Sequence, residues 1–189
     1  MPRKFMFTRE EIIDAALNLT RKGGISALTA RALGTELGSS SRPVFGLFKN
    51  MEEVQQEVFK AADTLYQGYI KDGMESGKYP PYKAIGMSYI QFAKEEKELF
   101  KLLFMYDHTQ RNMKEIKEAV KPFVKILQQK LSLNEEDAYL LHLEMWMYVH
   151  GIATTIATSY LEWDGEYINR MLTDGYEGIK SRYAERKPE

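Results

Sequence analysis

Hydrophobic residues recur at every third or fourth position along most of this chain, which is the spacing of one face of an α-helix. The first such stripe follows Thr8 and Glu11, a pair spaced like a helix capping box, and it stops at Gly23-Gly24. Its members are Ile12, Ala15, Ala16 and Leu19. The pattern therefore predicts an N-terminal amphipathic helix that ends at the glycine pair.

The next stretch, TARALGTELGSSSRPVFGLFK, predicts two short helices separated by a tight turn. Thr29 is a typical N-cap for the first of them, and Gly38 stops it, because glycine tolerates a positive φ. The second is predicted to start at Ser40 or Ser41, with Pro43 in its first turn, where a missing N–H costs nothing. This is a helix-turn-helix pattern, whose second helix is of a size to enter a DNA major groove.

Further helical stripes follow, and no segment shows strand-like alternation, an internal repeat or low complexity. We predict an all-α fold of about nine helices: an N-terminal three-helix head, a linker helix and a larger helical domain. The predicted domains are residues 1–50 and 51–189. The predicted helices beyond the head cover about 51–72, 80–93, 99–106, 113–131, 138–163 and 165–184.

Composition narrows the class of protein. With 44% hydrophobic and 28% charged residues, the 189-residue chain is typical of soluble globular proteins. No apolar run approaches the ~20 residues of a membrane span, the N-terminus lacks the apolar core of a signal peptide, and the sequence has no cysteine. We therefore expect a cytoplasmic protein with no membrane partner.

Charge is distributed unevenly along the chain. Residues 1–50 carry eight Lys and Arg against four Asp and Glu, a net charge of +4, whereas the remainder carries a net charge of −5. A mildly basic head on an acidic body is suited to binding phosphates at one end. A random fluctuation in composition would give the same small excess.

The sequence offers no catalytic constellation. Its three histidines are His108, His142 and His150, and it has no serine-centred elbow, phosphate loop or pair of metal ligands four residues apart on a helix. His142 and His150 are eight residues apart, about 80° out of phase on one helix, so joint metal ligation is not expected. We predict that the protein is not an enzyme and holds no metal or cofactor.

The chain resembles the TetR family of transcriptional regulators in size, helix order and the position of the N-terminal motif. The segment FAKEEKELFKLLF, residues 92–104, is similar to the helices that follow the linker helix in that family, and Trp146, His150 and Gly151 resemble its Trp-His-Gly ligand-domain subgroup. The head matches the family pattern at Thr29, Arg31, Leu33, Leu37, Gly38, Ser40, Val44, Phe45, Phe48, Asn50, Glu52 and Val54.

The resemblance implies a set of DNA contacts with three departures. Where the family has Tyr, then His or Tyr, then Lys as phosphate contacts, this chain has Phe45, Leu47 and Met51, which removes three anchors. Arg42 is the candidate for bidentate reading of a guanine, and Pro43 for contact with a thymine methyl. The predicted DNA-binding residues are Thr29, Arg31, Ser40, Ser41, Arg42, Pro43, Phe45 and Lys49.

The resemblance also implies a ligand-binding and dimerisation domain. A small, largely apolar or aromatic effector would lie among the middle helices, against residues that could equally be core: Tyr66, Tyr89, Phe92, Phe104, His108, Trp146 and His150. Two copies would associate through the last two helices, along a small-residue stripe that could equally pack within one copy: Ile152, Ala153, Ile156, Ala157 and Tyr160.

These implications add up to a ligand-responsive regulator, a repressor by the commoner pattern of the family, that binds a palindromic double-stranded operator as a homodimer. The effector would release it from DNA. Because three phosphate anchors are replaced, the alternative is a helical adaptor or interaction protein that has lost strong DNA binding.

Overall fold

The computed structural model describes residues 6–106 and 113–184, and within these ranges it contains nine α-helices and no strand. The predicted all-α fold is therefore confirmed. A short 3₁₀ turn, Ile25–Ala27, separates the first two helices. The helices are α1 (Arg9–Gly23), α2 (Ala30–Glu36), α3 (Val44–Leu47), α4 (Met51–Glu75), α5 (Pro81–Glu95), α6 (Lys97–Phe104), α7 (Met113–Leu131), α8 (Glu135–Ala157) and α9 (Gly165–Ala184).

The first compact unit comprises residues 6–68 with 95–106, so it holds α1 to α3, most of α4, and α6. Helix α1 packs against α2 and α6. Its first turn has the predicted capping box: the Thr8 hydroxyl accepts from the Glu11 N–H at 3.1 Å, and the Glu11 carboxylate accepts from the Thr8 N–H at 2.7 Å. The side chains buried in this unit include Ile12, Ala16, Leu33, Val44, Phe48, Val54, Val58, Leu99 and Phe100.

The second compact unit comprises residues 69–94 with 113–184, so it holds the end of α4, nearly all of α5, and α7 to α9. Helix α8 packs against both α7 and α9. One buried cluster of this unit contains Val124, Leu127, Ala138, Leu141 and Tyr183. The functional boundary at residues 50 and 51 stays a prediction, and it differs from the division by contacts, in which α6 belongs with the N-terminal helices.

Helix α8 ends earlier than the apolar pattern predicts. It begins at an Asn134 cap, whose side chain accepts from the Asp137 N–H at 2.8 Å, but it stops at Ala157 and does not continue to residue 163. The chain turns there because Ser159 has a left-handed φ of 56°. The Tyr160 N–H then bonds back to the Thr155 carbonyl at 2.9 Å, which ends the helix.

Candidate functional site

The helix-turn-helix is built on a very close approach between α2 and the turn that follows it. The Thr29 hydroxyl caps α2 by accepting from the Ala32 N–H at 3.1 Å, and Gly38 has the predicted positive φ, 64°. The Ser39 N–H donates a hydrogen bond to the Gly34 carbonyl at 2.8 Å. A Cβ at residue 34 would lie only 2.8 Å from the Ser41 nitrogen, so the absence of a side chain at Gly34 is what allows this turn.

The second helix of the motif differs from its prediction. It does not start at Ser40 or Ser41; α3 begins at Val44 and is a single turn, with Pro43 immediately before it. Pro43 has no N–H to donate. The hydrogen bonds before and within α3 include two of the 3₁₀ type, between residues three apart: the Val44 N–H donates to the Ser41 carbonyl and the Gly46 N–H donates to the Pro43 carbonyl, both at 3.2 Å. The second helix of the motif is therefore shorter than the sequence predicts.

Within this recognition element, residues 39–47, burial separates packing side chains from exposed ones. Val44 and the following Phe48 are 0% and 2% exposed, whereas Phe45 is 46% exposed. Six of the eight predicted DNA contacts are exposed, and two, Ser41 and Pro43, are half-buried. The structure therefore leaves all eight accessible on the surface of the N-terminal unit.

Arg9 is a site residue that the sequence did not reveal. From the first turn of α1 its guanidinium donates to the Leu47 carbonyl at 3.0 Å and to the Glu53 carboxylate at 3.0 Å, and it lies 4.1 Å from the centre of the Phe48 ring. The other Glu53 oxygen accepts from the Lys49 N–H at 2.7 Å. Arg9 thus ties the end of the recognition element to the first turn of α4. No local pattern reports a contact that spans about forty residues of sequence.

Glu53 is held ionised by the same contacts. The hydrogen bond from the Lys49 N–H, and then that from Arg9, lower the pKa of its carboxyl below the ordinary value. Its own N–H is capped by the Asn50 side chain at 2.9 Å. A carboxylate in the first turn of α4 also interacts favourably with the positive end of that helix.

Three of the predicted effector contacts meet in the second unit. The Tyr89 hydroxyl lies 2.8 Å from His150 Nδ1, and the Trp146 ring stacks on the His150 ring with centroids 4.8 Å apart and planes 14° apart. Burial lowers the pKa of His150 below its ordinary value, which favours the neutral ring. A neutral ring that carries its proton on Nε2 can accept a hydrogen bond from the Tyr89 hydroxyl at Nδ1.

The other predicted effector contacts lie elsewhere. Phe92 is fully buried and packs edge-on against Tyr69, with centroids 5.3 Å apart. Tyr66 and Phe104 belong to the first unit, where their rings meet edge-on at 5.1 Å. His108 lies outside the described residues. The structure therefore groups only part of the predicted set.

A second tyrosine–histidine pair lies between α5 and α8 and was not predicted as a site. The Tyr82 hydroxyl is 3.0 Å from His142 Nδ1, and Phe123 packs on the His142 ring with centroids 5.8 Å apart. Burial lowers the pKa of His142 to about 4. The nearby Tyr176 hydroxyl is buried without a hydrogen-bond partner. Tyr82 and Tyr89 are seven residues, about two helical turns, apart, so both lie on the same face of α5. That spacing is the sequence signal that could have indicated both tyrosine–histidine pairs.

The predicted dimer stripe requires a correction. Ile152, Ala153, Ile156 and Ala157 are buried within the chain itself, so they have almost no surface left to bury against a second copy. Tyr160 alone is exposed, at 78%. The small residues of α8 face their own unit because α8 packs between α7 and α9. The exposed side chains of α8 include Leu140, Trp146, Met147 and Tyr148.

Across residues 6–106 and 113–184, no three His, Cys, Asp or Glu side chains form a group that could hold a metal ion. In the same ranges, no helix combines the length and the apolar character needed to cross a bilayer.

Comparison with known proteins finds one matching family model and several solved structures of similar fold. Residues 82–174 match the family model described as "Tetracyclin repressor-like, C-terminal domain". The fold is similar to that of a protein from Vibrio parahaemolyticus described as a TetR-family transcriptional regulator, with a TM-score of 0.59 and 14% identity over 90% of this chain and 97% of that chain. A transcriptional regulator from Rhodococcus sp. Rha1 is also similar, with a TM-score of 0.55 and 15% identity over 93% and 97%. No curated protein matches the sequence.

Proposed function

This chain belongs to the TetR family of transcriptional regulators, and on that premise we propose that it is a cytoplasmic, ligand-responsive repressor. In this proposal it binds a palindromic operator as a homodimer and is released by a small, largely apolar or aromatic effector. It has no catalytic role and uses no cofactor.

The observation that carries the DNA-binding part is the exposure pattern of the helix-turn-helix. The apolar side chains that hold it, Val44 and Phe48, are buried, while Arg31, Arg42 and Lys49 are exposed. Cations on a helix-turn-helix suit contact with phosphates and base edges. The net charge of +4 on residues 1–50 favours an encounter with DNA through the same end of the chain.

A palindromic operator calls for a two-fold protein whose recognition elements lie about 34–36 Å apart. The exposed face of α8 supports association through that helix, because Met147 is exposed and a side chain at Gly151 would meet only open space. A side chain at Gly178 of α9 would also meet open space. Small residues on exposed helix faces allow a second copy to approach closely.

Titration of the full-length protein against duplexes from the promoters next to its own gene tests the proposal. We expect specific binding of two chains per duplex, and a plot of log affinity against log salt with a slope no steeper than about −5.4. That limit follows because the motif offers three cations per head, and each neutralised phosphate contributes about −0.9. Failure to bind any genomic duplex would exclude the repressor.

The adaptor remains the second candidate, and a specific observation favours it. The only helix in the recognition element, α3, is a single turn, and two of the replaced anchor positions, Leu47 and Met51, are half-buried apolar side chains. Fewer phosphate contacts leave less sequence-independent affinity. Absence of DNA binding together with a stable complex with another protein would establish the adaptor.

Arg42→Ala is expected to weaken binding to the operator by about tenfold or more and to relax preference at one base pair. A bidentate contact with guanine accounts for about 1–3 kcal/mol of discrimination, and the Arg42 side chain is exposed for such a contact. Competition with operators altered one base pair at a time measures the effect. Arg31→Ala is the matched control, expected to weaken all sequences alike. An equal loss on every sequence for Arg42→Ala would make Arg42 a phosphate contact.

Trp146 should report effector binding. The chain has two tryptophans, so Trp163→Phe leaves Trp146 as the single tryptophan. A flat aromatic compound that displaces or extends the Trp146–His150 stack should change the fluorescence of Trp146. His150→Ala should lower the affinity for that compound about tenfold. Trp146→Phe, which keeps Trp163, is the control. A compound that releases the protein from DNA without altering Trp146 emission would place the effector elsewhere.

A further inference from the structure

Phe45 occupies an unusual environment for a large apolar side chain. It lies in the single turn of α3 between Val44, which is buried, and Gly46, and its ring is 46% exposed. Core packing of the motif is supplied by its neighbours Val44 and Phe48. An aromatic ring left in water at the tip of a recognition element suits burial against a partner.

The chemistry of the ring limits what it can recognise there. A phenyl ring neither donates nor accepts a hydrogen bond, so Phe45 cannot anchor a phosphate as a tyrosine hydroxyl would. The major groove of DNA has one apolar group on its base edges, the C5-methyl of thymine. A phenyl ring that enters this groove can therefore distinguish bases through that methyl group.

The geometry of α3 sets Phe45 beside Arg42. The two residues are three positions apart in a segment that contains 3₁₀-type hydrogen bonds. In 3₁₀ geometry, side chains three positions apart lie on the same face. Both side chains are exposed. A rise of about 2 Å per residue separates them by roughly 6 Å, which is about two base pairs at 3.4 Å each along the duplex.

We propose that Phe45 is a specificity-determining residue that reads a thymine methyl group within about two base pairs of the base contacted by Arg42. The inference rests on the proposed DNA binding and deepens it. It assigns to the recognition element one apolar and one guanidinium contact, so a bound operator contains thymine at a defined distance from guanine.

The test replaces thymine by uracil, which removes the methyl group and leaves every hydrogen-bonding atom of the base unchanged. The full-length protein first selects duplexes from a random pool, and each thymine of the selected operator is then replaced singly. We expect about fourfold weaker binding at one position in each half-site, which is the loss that corresponds to one buried methyl group. Failure to select any duplex would overturn DNA binding itself, which separates the two hypotheses.

Three variants identify the residue that senses the methyl group. Phe45→Ala should bind thymine and uracil operators equally, whereas Phe45→Leu, which keeps an apolar side chain, should retain part of the difference. Arg42→Ala should bind both operators more weakly and keep the difference between them. Because the ring is half exposed, circular dichroism should show Phe45→Ala folded with an unchanged spectrum.

Three outcomes overturn the proposal. If wild-type protein binds every uracil-substituted operator as well as the parent, Phe45 touches no thymine methyl. If Phe45→Ala keeps the full preference for thymine, another residue reads the methyl group. A change in oligomeric state of Phe45→Ala, measured by sedimentation, would assign the ring to contact between protein chains instead.

Discussion

Gly34→Ala is expected to destabilise the N-terminal unit by about 1–2 kcal/mol, although alanine is the better helix former. In an ordinary helix this substitution stabilises by up to ~1 kcal/mol. Here the new Cβ would lie 2.8 Å from the Ser41 nitrogen and 2.9 Å from the Ser40 carbonyl carbon. These are backbone atoms, so the whole turn must shift, at a cost of about 1–3 kcal/mol for overpacking. The clash outweighs the gain in helix propensity.

Gly68→Ala is the matched control, because Gly68 lies inside α4 and a Cβ there would meet nothing within 4 Å. It should stabilise by up to ~1 kcal/mol. Urea denaturation followed by circular dichroism compares the two variants. Hydrogen exchange of the Ser39 amide, which bonds across the turn to the Gly34 carbonyl, reports the local effect. Equal stabilisation by both substitutions would mean that the turn lies farther from α2 than the structure shows.

The free energy of unfolding is expected to fall by about 2 kcal/mol as the pH is lowered from 7 to 4.5. His142 is 6% exposed, and burial lowers its pKa from 6.5 to about 4. Between these values the unfolded chain binds a proton that the folded chain does not, so stability rises with pH across this window. A lower folded pKa therefore gives stability that is present above pH 6.5 and is lost on acidification. The lowered pKa of His150 acts in the same direction.

Urea denaturation at several pH values between 4.5 and 7 measures this dependence, and His142→Gln isolates its source. A glutamine side chain oxygen can still accept from the Tyr82 hydroxyl, which lies 3.0 Å from His142 Nδ1, but it does not titrate. We expect the variant to lose most of the slope. An unchanged slope would assign the acid sensitivity to other groups that titrate in this window, among them His150, whose pKa is also lowered by burial.

Prediction from sequence succeeded where a structure depends on neighbours in the chain. The Thr8–Glu11 capping box, the Thr29 cap and the positive φ of Gly38 each involve residues at most three apart, and each was identified from residue type and spacing. Prediction failed for the start of α3. There the tight approach of α2 at Gly34 and the missing N–H of Pro43 compete with helix propensity.

The candidate sites show the same division. The resemblance implied Tyr89, Trp146 and His150 as effector contacts, and that role stays a prediction. The burial of the α8 stripe and the placing of Tyr66 and Phe104 in the first unit depend on which helices pack together. A periodic pattern shows that a helix has an apolar face and does not show what covers that face. For this reason the stripe at Ile152 and Ile156 could be interpreted as an interface until burial within one chain was known.

The sequence by itself determined the helical class, the caps, the position of the helix-turn-helix and the resemblance to TetR regulators, because these depend on local residue types and their order. Only the tertiary structure decided that Arg9 holds the recognition element through Leu47 and Glu53, that α3 is a single turn, and that Phe45 is exposed. These features arise from contacts between residues far apart in sequence. Their energies depend on distances, such as the 2.8 Å between a Cβ at position 34 and the Ser41 nitrogen, that no local pattern encodes.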